Sequence, residues 1–221
     1  FIVNGQWKSG DRIPPERDLS AELGIARTSL REALKAMEFV GMLESRVGDG
    51  TFVCPRSEFL AKPMLWAFTG TDPEELQDVV ESRALLEVDL AGLAAARASQ
   101  AEIDEIGETI ELMRSETTKG RSIFEADMKF HLVIASAAHN EVLSHAVQLL
   151  RNMLRHWIYL KLQLPEVPGQ VIQEHVAIFE AIRNRDSVAA RASMLHHLEQ
   201  TSKFVGQVTP HHDGAGSARS N

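Results

Sequence analysis

Three histidines and one aspartate stand where a helical protein ordinarily places apolar residues. In EADMKFHLVI (125–134) and its flanks, Phe124, Met128, Ile134, Ala135 and Ala138 fall on one side of a helix. Asp127 and His131, four residues apart, fall on that same side. His175 shares a stripe with Ile178, Phe179 and Ile182, and His197 shares one with Ala190, Met194, Thr201 and Phe204 or Val205. A carboxylate or imidazole turned into a core is costly unless something satisfies it. Taken singly, Asp127 and His131 read as a buried hydrogen-bonded pair, and His175 and His197 as core histidines. Taken together, three neutral imidazoles and a carboxylate make a good ligand set for a divalent transition metal. Helical bundles build metal sites in this way, from side chains on facing helices. Zinc suits the set, with nickel, cobalt or manganese as alternatives. An enzyme could use such a centre to activate water, but no general base accompanies the motif, and catalysis is not expected. A metal that only staples the bundle is the other alternative. The remaining histidines are plain: His139 sits at a helix end, His145 and His156 lack such stripes, His196 points away from His197, and His211 and His212 fall in the tail.

The elements that must position these groups are helices. Residues 72–206 read as helix after helix, over roughly 73–98, 101–117, 123–138, 141–163, 169–184 and 187–205. Asp72-Pro73-Glu74-Glu75 combines an N-cap, a proline at the first helical position and acids in the first turn. Ser99-x-x-Glu102 and Ser122-x-x-Glu125 are capping boxes by pattern, and Asn140 and Asp186 are further N-cap candidates. Six such helices joined by short loops predict an antiparallel bundle. Residues 56–71 read as a linker with a short helix near Phe59–Phe68. Residues 207–221 have turn-forming composition and are expected to be disordered.

The chain has 221 residues, enough for one large or two modest domains. Its single cysteine, Cys54, excludes an internal disulfide and fits the cytoplasm. No apolar run is long enough to span a membrane. The net charge of −8 lies wholly beyond residue 56, because residues 1–56 hold equal numbers of acidic and basic groups. A neutral module with clustered arginines can still bind a polyanion through its local potential. The opening FIVNGQW, without an initial Met, reads as the end of a truncated helix.

Residues 1–55 mix short helices with Gly and Pro punctuation. Pro14-Pro15 opens a helix, ERDLSAEL, that Gly24 ends with a left-handed cap. A tight turn, Gly24-Ile25-Ala26, leads to a second helix from about Arg27 to Val40. Helix, short turn, helix is the helix-turn-helix signature. Leu19, Leu23, Ile25, Leu30, Leu34 and Met37 are expected to pack the pair. The first turns of the second helix carry Arg27, Thr28 and Arg31 outward, where a recognition helix meets base edges. Arginine suits that task through its planar fork. Two β-prone runs around Gly48-Asp49-Gly50 predict a hairpin, the wing of a winged helix.

On these motifs the stretch GDRIPPERDLSAELGIARTSLREALKAMEFVGMLESRVGDGTFV (10–53) resembles the winged-helix domain of GntR-family bacterial transcription regulators. The matching pieces are G-x-x-I-P-x-E-R-x-L-S, G-I-A-R-x-x-L-R-E-A-L and G-x-G-T-F-V. The resemblance implies DNA contacts by Arg17, Arg27, Thr28 and Arg31, with Gly48 at the wing tip. Ala26 departs from the Ser or Thr usual in the family, which removes an N-cap hydroxyl worth about 1 kcal/mol. Residues 72–205 resemble the FCD effector domain of the FadR subfamily, through ESRALLE (81–87), ADMKFH (126–131), AHNEVL (138–143), EHVAIFEAI (174–182) and MLHHL (194–198). In metal-binding members one Asp and three His hold a divalent metal at the floor of a ligand cavity. The resemblance carries that role onto Asp127, His131, His175 and His197. It also places Arg83 at the cavity, where a guanidinium could clamp an effector carboxylate; the plainer reading of Arg83 is an ion pair with Glu87. The implied whole is mainly α, a winged helix-turn-helix followed by an all-α bundle. It implies a homodimeric repressor on a short DNA palindrome, answering to a small organic or sugar acid.

Overall fold

The computed structural model describes residues 1–55, 59, 68 and 73–208. It divides into two compact units, Phe1–Thr69 and Gly70–Asn221. The expected linker helix near Phe59–Phe68, the Asp72 cap and the tail beyond Val208 lie outside the described residues.

In the first unit, α1 (Glu16–Leu23) and α2 (Arg27–Phe39) precede a hairpin of β1 (Leu43–Arg46) and β2 (Gly50–Val53). Gly24, at φ 66° and ψ 27°, caps α1 with its N–H to the Ser20 carbonyl, a conformation glycine adopts without Cβ strain. Ala26 caps α2 with no side-chain bond. The strands pair antiparallel, Leu43 with Val53 and Arg46 with Gly50. Gly50 has no alternative: its φ is +114°, and a Cβ there would meet the Arg12 guanidinium at 2.5 Å. Ile2, Ile13, Leu19, Leu30, Leu34, Leu43 and Val53 form the core, with Met37 packed against it. Leu23 and Ile25 do not join it; they flank the Gly24 turn at 40 and 43 % exposure. The amino terminus has helix-ending geometry. Gln6 N–H reaches the Phe1 carbonyl, Gly5 N–H reaches the Ile2 carbonyl, and Gly5 has φ +74°, the paired bonds of a Schellman cap.

The second unit contains α3 (Pro73–Arg97), α4 (Gln100–Thr118), α5 (Phe124–Ala137), α6 (Glu141–Met153), α7 (Arg155–Leu162), α8 (Val167–Arg183) and α9 (Ser187–Val208). The 25-residue α3 runs through the middle, packed against α5, α6, α8 and α9. Its buried stripe is Leu76, Val80, Arg83, Glu87, Leu90 and Ala94, apolar except for one charged pair. Small residues let the helices close up: a Cβ on Gly107 of α4 would meet the Phe179 ring of α8 at 3.2 Å.

Four expectations change here. The helix expected over 141–163 is two helices, broken at Leu154, whose φ of −88° and ψ of 2° leave the helical region. Leu154 is buried, and the break turns Ile158, Lys161 and Leu162 inward on the far side. The bundle therefore has seven helices rather than six among the described residues. The Ser99–Glu102 capping box forms in both directions, but the one expected at Ser122 does not. There α5 opens at Ile123 without a side-chain cap, and Glu125 instead reaches Arg155 of α7 at 2.5 Å. Asn140 and Asp186 do cap, accepting from Leu143 N–H and from Val188 and Ala189 N–H. Gln207 and Val208 belong to the last turn of α9 rather than to a disordered tail.

A candidate metal centre and a candidate DNA face

α5, α8 and α9 bring Asp127, His131, His175 and His197 together, each at most 3 % exposed. One ligand atom from each lies within 4.8 Å of all the others. His175 Nε2 is 3.4 Å from His197 Nε2 and 3.6 Å from Asp127 Oδ1. His131 Nε2 is 4.0 Å from Asp127 Oδ1, too far for the hydrogen-bonded pair that the two residues alone suggest. A metal bonded at about 2.1 Å holds its ligand atoms at most roughly 4.2 Å apart. Those three separations fit inside that limit.

The outward nitrogens explain the inward ones. His197 Nδ1 lies 2.7 Å from Glu174 Oε2. His131 Nδ1 lies 2.5 Å from Glu87 Oε2. His175 Nδ1 faces the Met113 sulfur at 3.3 Å, and its ring stacks on Phe130 at 4.0 Å. Acceptors on the Nδ1 side hold the proton there and turn each Nε2 lone pair toward the others. Facing lone pairs repel, and His131 Nε2 is buried with no hydrogen-bond partner. A cation among them would satisfy all three. Burial holds all three imidazoles below the usual histidine range, well below it for His131 and His175, where Arg151 and His197 respectively add repulsion. They stay neutral, as metal ligation requires.

A charged network surrounds this set: the Arg83–Glu87 pair of the plainer reading forms, and Arg151, which the sequence did not single out, joins it. Arg151, with no exposed surface, reaches Asp127 Oδ2 at 2.6 Å and Glu87 Oε1 at 3.3 Å. Arg83 lies 2.5 Å from Glu87 Oε1. Burial alone would raise the Glu87 carboxyl, but Arg83, His131 and Arg151 hold it well below the carboxylate range. Asp127 is held down in the same way by Arg151 and His175. Arg83 also lines, with Asp127, Lys161, His197 and Thr201, a cavity of about 10 Å³, room for roughly one water.

In the first unit the expected DNA residues are all exposed. Arg27 and Thr28 stand at the start of α2. Arg31 forks onto Glu16, 2.8 Å from Oε2, and Arg17 touches Asp18 at 3.0 Å. Gly48 forms the hairpin turn at φ +79°, with open space around it.

Comparison with known proteins agrees in both units. Residues 1–53 match the bacterial regulatory proteins of the gntR family, and residues 78–200 match the FCD domain. The putative L-lactate dehydrogenase operon regulatory protein of Escherichia coli K12 is 35 % identical over 206 residues, 90 % of this chain and 79 % of that protein. The galactonate operon transcriptional repressor of the same organism is 28 % identical over 94 % of this chain and 93 % of its own. A solved structure, the Streptococcus agalactiae GntR, superposes with a TM-score of 0.73 at 24 % identity, covering 91 % of this chain and 93 % of that one.

Proposed function

Because the chain belongs to the GntR family of bacterial regulatory proteins, with an FCD domain following its DNA-binding module, we propose that it is a cytoplasmic repressor whose helical unit senses a small organic or sugar acid beside a bound metal. Regulators of this family bind operator DNA, and this chain is a transcription regulator rather than an enzyme. The observation that carries the sensing part is the convergence of three buried imidazoles and one carboxylate, one possible ligand atom of each lying within 4.8 Å of the others. Asp127, His131, His175 and His197 hold the ion, zinc or else nickel, cobalt or manganese. The ion supplies a Lewis-acidic centre for carboxylate and hydroxyl oxygens. Glu87 and Glu174 fix the rings, Arg151 fixes Asp127, and Arg83 stands at the cavity wall. Relatives named for L-lactate dehydrogenase and galactonate operons support an acid as effector.

On DNA, Arg17, Arg27, Thr28 and Arg31 read or grip the major groove, and Gly48 brings the wing close to the backbone. A homodimer sets two such modules, residues 1–55 of each copy, on a short palindrome. The linker 56–71 joins each to its sensing unit, residues 72–206. The acid acts by binding one arrangement of the dimer better than another.

The test is metal analysis of the purified protein joined to a DNA-shift assay on its own upstream region. About one equivalent of metal per chain, lost in His175→Ala, is expected, with specific binding that weakens as salt rises. Full metal retention in His175→Ala would remove that residue from the set. The small cavity favours one second reading, a metal that only staples the bundle. Stripping the metal would then lower the melting temperature without abolishing the response to an acid.

A further inference from the structure

Among the described residues, three cations are buried: Arg83, Arg151 and Lys161. Two are already matched. Arg83 pairs with Glu87, and Arg151 pairs with Glu87 and Asp127. Lys161, on α7 and only 6 % exposed, makes no ion pair; its ammonium donates to the neutral Thr201 hydroxyl of α9 at 2.9 Å. A buried ammonium facing only a hydroxyl is poorly compensated. Burial lowers its pKa to about 8, against the distant pull of Glu174 and Asp127, so it is still mostly charged at neutral pH. Glu174 is itself engaged elsewhere, since it accepts from Gln170 at 2.8 Å and holds His197.

The place of Lys161 is as informative as its charge. It lines the small chamber beside Asp127 and His197. It also lines a second, more open cavity of about 230 Å³ between α7, α8 and α9, with Val171, Glu174, Lys203 and Phe204. Lys161 and Val171 belong to both walls. A ligand the size of a small acid fits the outer cavity and not the inner one, so it must pass this partition to reach the metal ligands.

We propose that Lys161 is the residue that receives the effector carboxylate, standing between an outer vestibule and the metal chamber. This rests on the acid-sensor reading above, and it moves the first anion contact from Arg83, whose Nε already holds Glu87, to the one buried cation among the described residues without an ion pair. As the acid arrives, its oxygen replaces the Thr201 hydroxyl as acceptor of the Lys161 ammonium, at the mouth of the chamber whose residues would hold the ion.

Zinc-loaded full-length protein, Lys161→Met and Lys161→Arg are titrated by calorimetry with L-lactate, glycolate and D-galactonate. Lys161→Met is expected to keep its zinc and lose at least tenfold in affinity for any acid that the parent binds, with Lys161→Arg recovering most of it. Undiminished binding by Lys161→Met overturns the proposal while leaving the sensor reading intact. If the parent binds none of these acids, the sensor reading fails for that class, and Lys161 is judged by a second measurement on unaltered protein. Cyanate, a small anion that carbamylates amines, is applied and the products are mapped by mass spectrometry. Carbamylation of Lys161 at least as fast as that of exposed Lys119 and Lys129 supports entry of small solutes to it through the vestibule. A Lys161 left unmodified in the folded protein overturns it.

Discussion

The two units use arginine in opposite ways. In the first, the side chains of Arg17 and Arg31 are 81 and 53 % exposed, and their acidic partners Asp18 and Glu16 are 52 and 33 % exposed. In the second, Arg83 and Arg151 are 3 and 0 % exposed and sit in a network with Glu87, Asp127 and a row of imidazoles. Exposed pairs are screened and contribute little to stability, so those guanidiniums can exchange a carboxylate for a phosphate at small cost. Buried pairs cannot be separated cheaply. The first set is therefore available to an outside polyanion, and the second is committed to the shape of a chamber. The difference lies in burial, not residue type.

That contrast can be broken most forcefully at Arg151. Replacing it with Leu leaves Asp127 without its guanidinium and Glu87 with Arg83 alone, and roughly 3–5 kcal/mol of stability should go. Arg31→Ala should leave the urea-unfolding curve nearly where it was. Equal losses in the two variants would erase the distinction. The converse experiment is on DNA: Arg27→Ala should weaken specific binding by roughly 1–3 kcal/mol and leave the melting temperature unchanged, as a shift titration and a thermal melt together would report. Smallest is a pH effect. The three buried imidazoles have lowered folded pKa values, so the unfolded chain takes up protons first and stability falls as pH drops toward and through 6.5. Between pH 7.5 and 6.5 each contributes a loss of up to about 0.4 kcal/mol in metal-free protein. Residues 1–55 contain no histidine; a pH response of similar size in that unit would blunt the comparison.

Much of this was legible because it is local. The helix-turn-helix follows from one glycine turn and two short apolar patterns, and the histidine stripes follow from spacing within single helices. What escaped was pairing between helices. Arg151 meets Glu87 across 64 residues, and no spacing announces that. Yet the rule that singled out His131 applies here too. Val147, Arg151, Leu154, Ile158 and Lys161 follow helical spacing in the sequence and are all buried, on two helices, and the two cations interrupt that apolar series just as the histidines interrupt theirs. Long cationic side chains normally reach water from such positions, which masks the signal. The break at Leu154 carries no proline or glycine to mark it. The Ser122 box fitted its pattern but lost Glu125 to Arg155, a competition visible only once α7 is in place.

The four proposed ligands come from α5, α8 and α9, and α9 is the final helix described. A chain emerging from the ribosome completes its DNA-binding unit long before His197 exists, since domains form in order of synthesis. Asp127 and His131 come first, His175 later, and His197 closes the set 22 residues after that. A nascent or prematurely ended product can thus own a working hairpin and recognition helix while its ion-holding quartet is still short of a member. Under the proposed reading, loading of the ion reports that synthesis has passed His197.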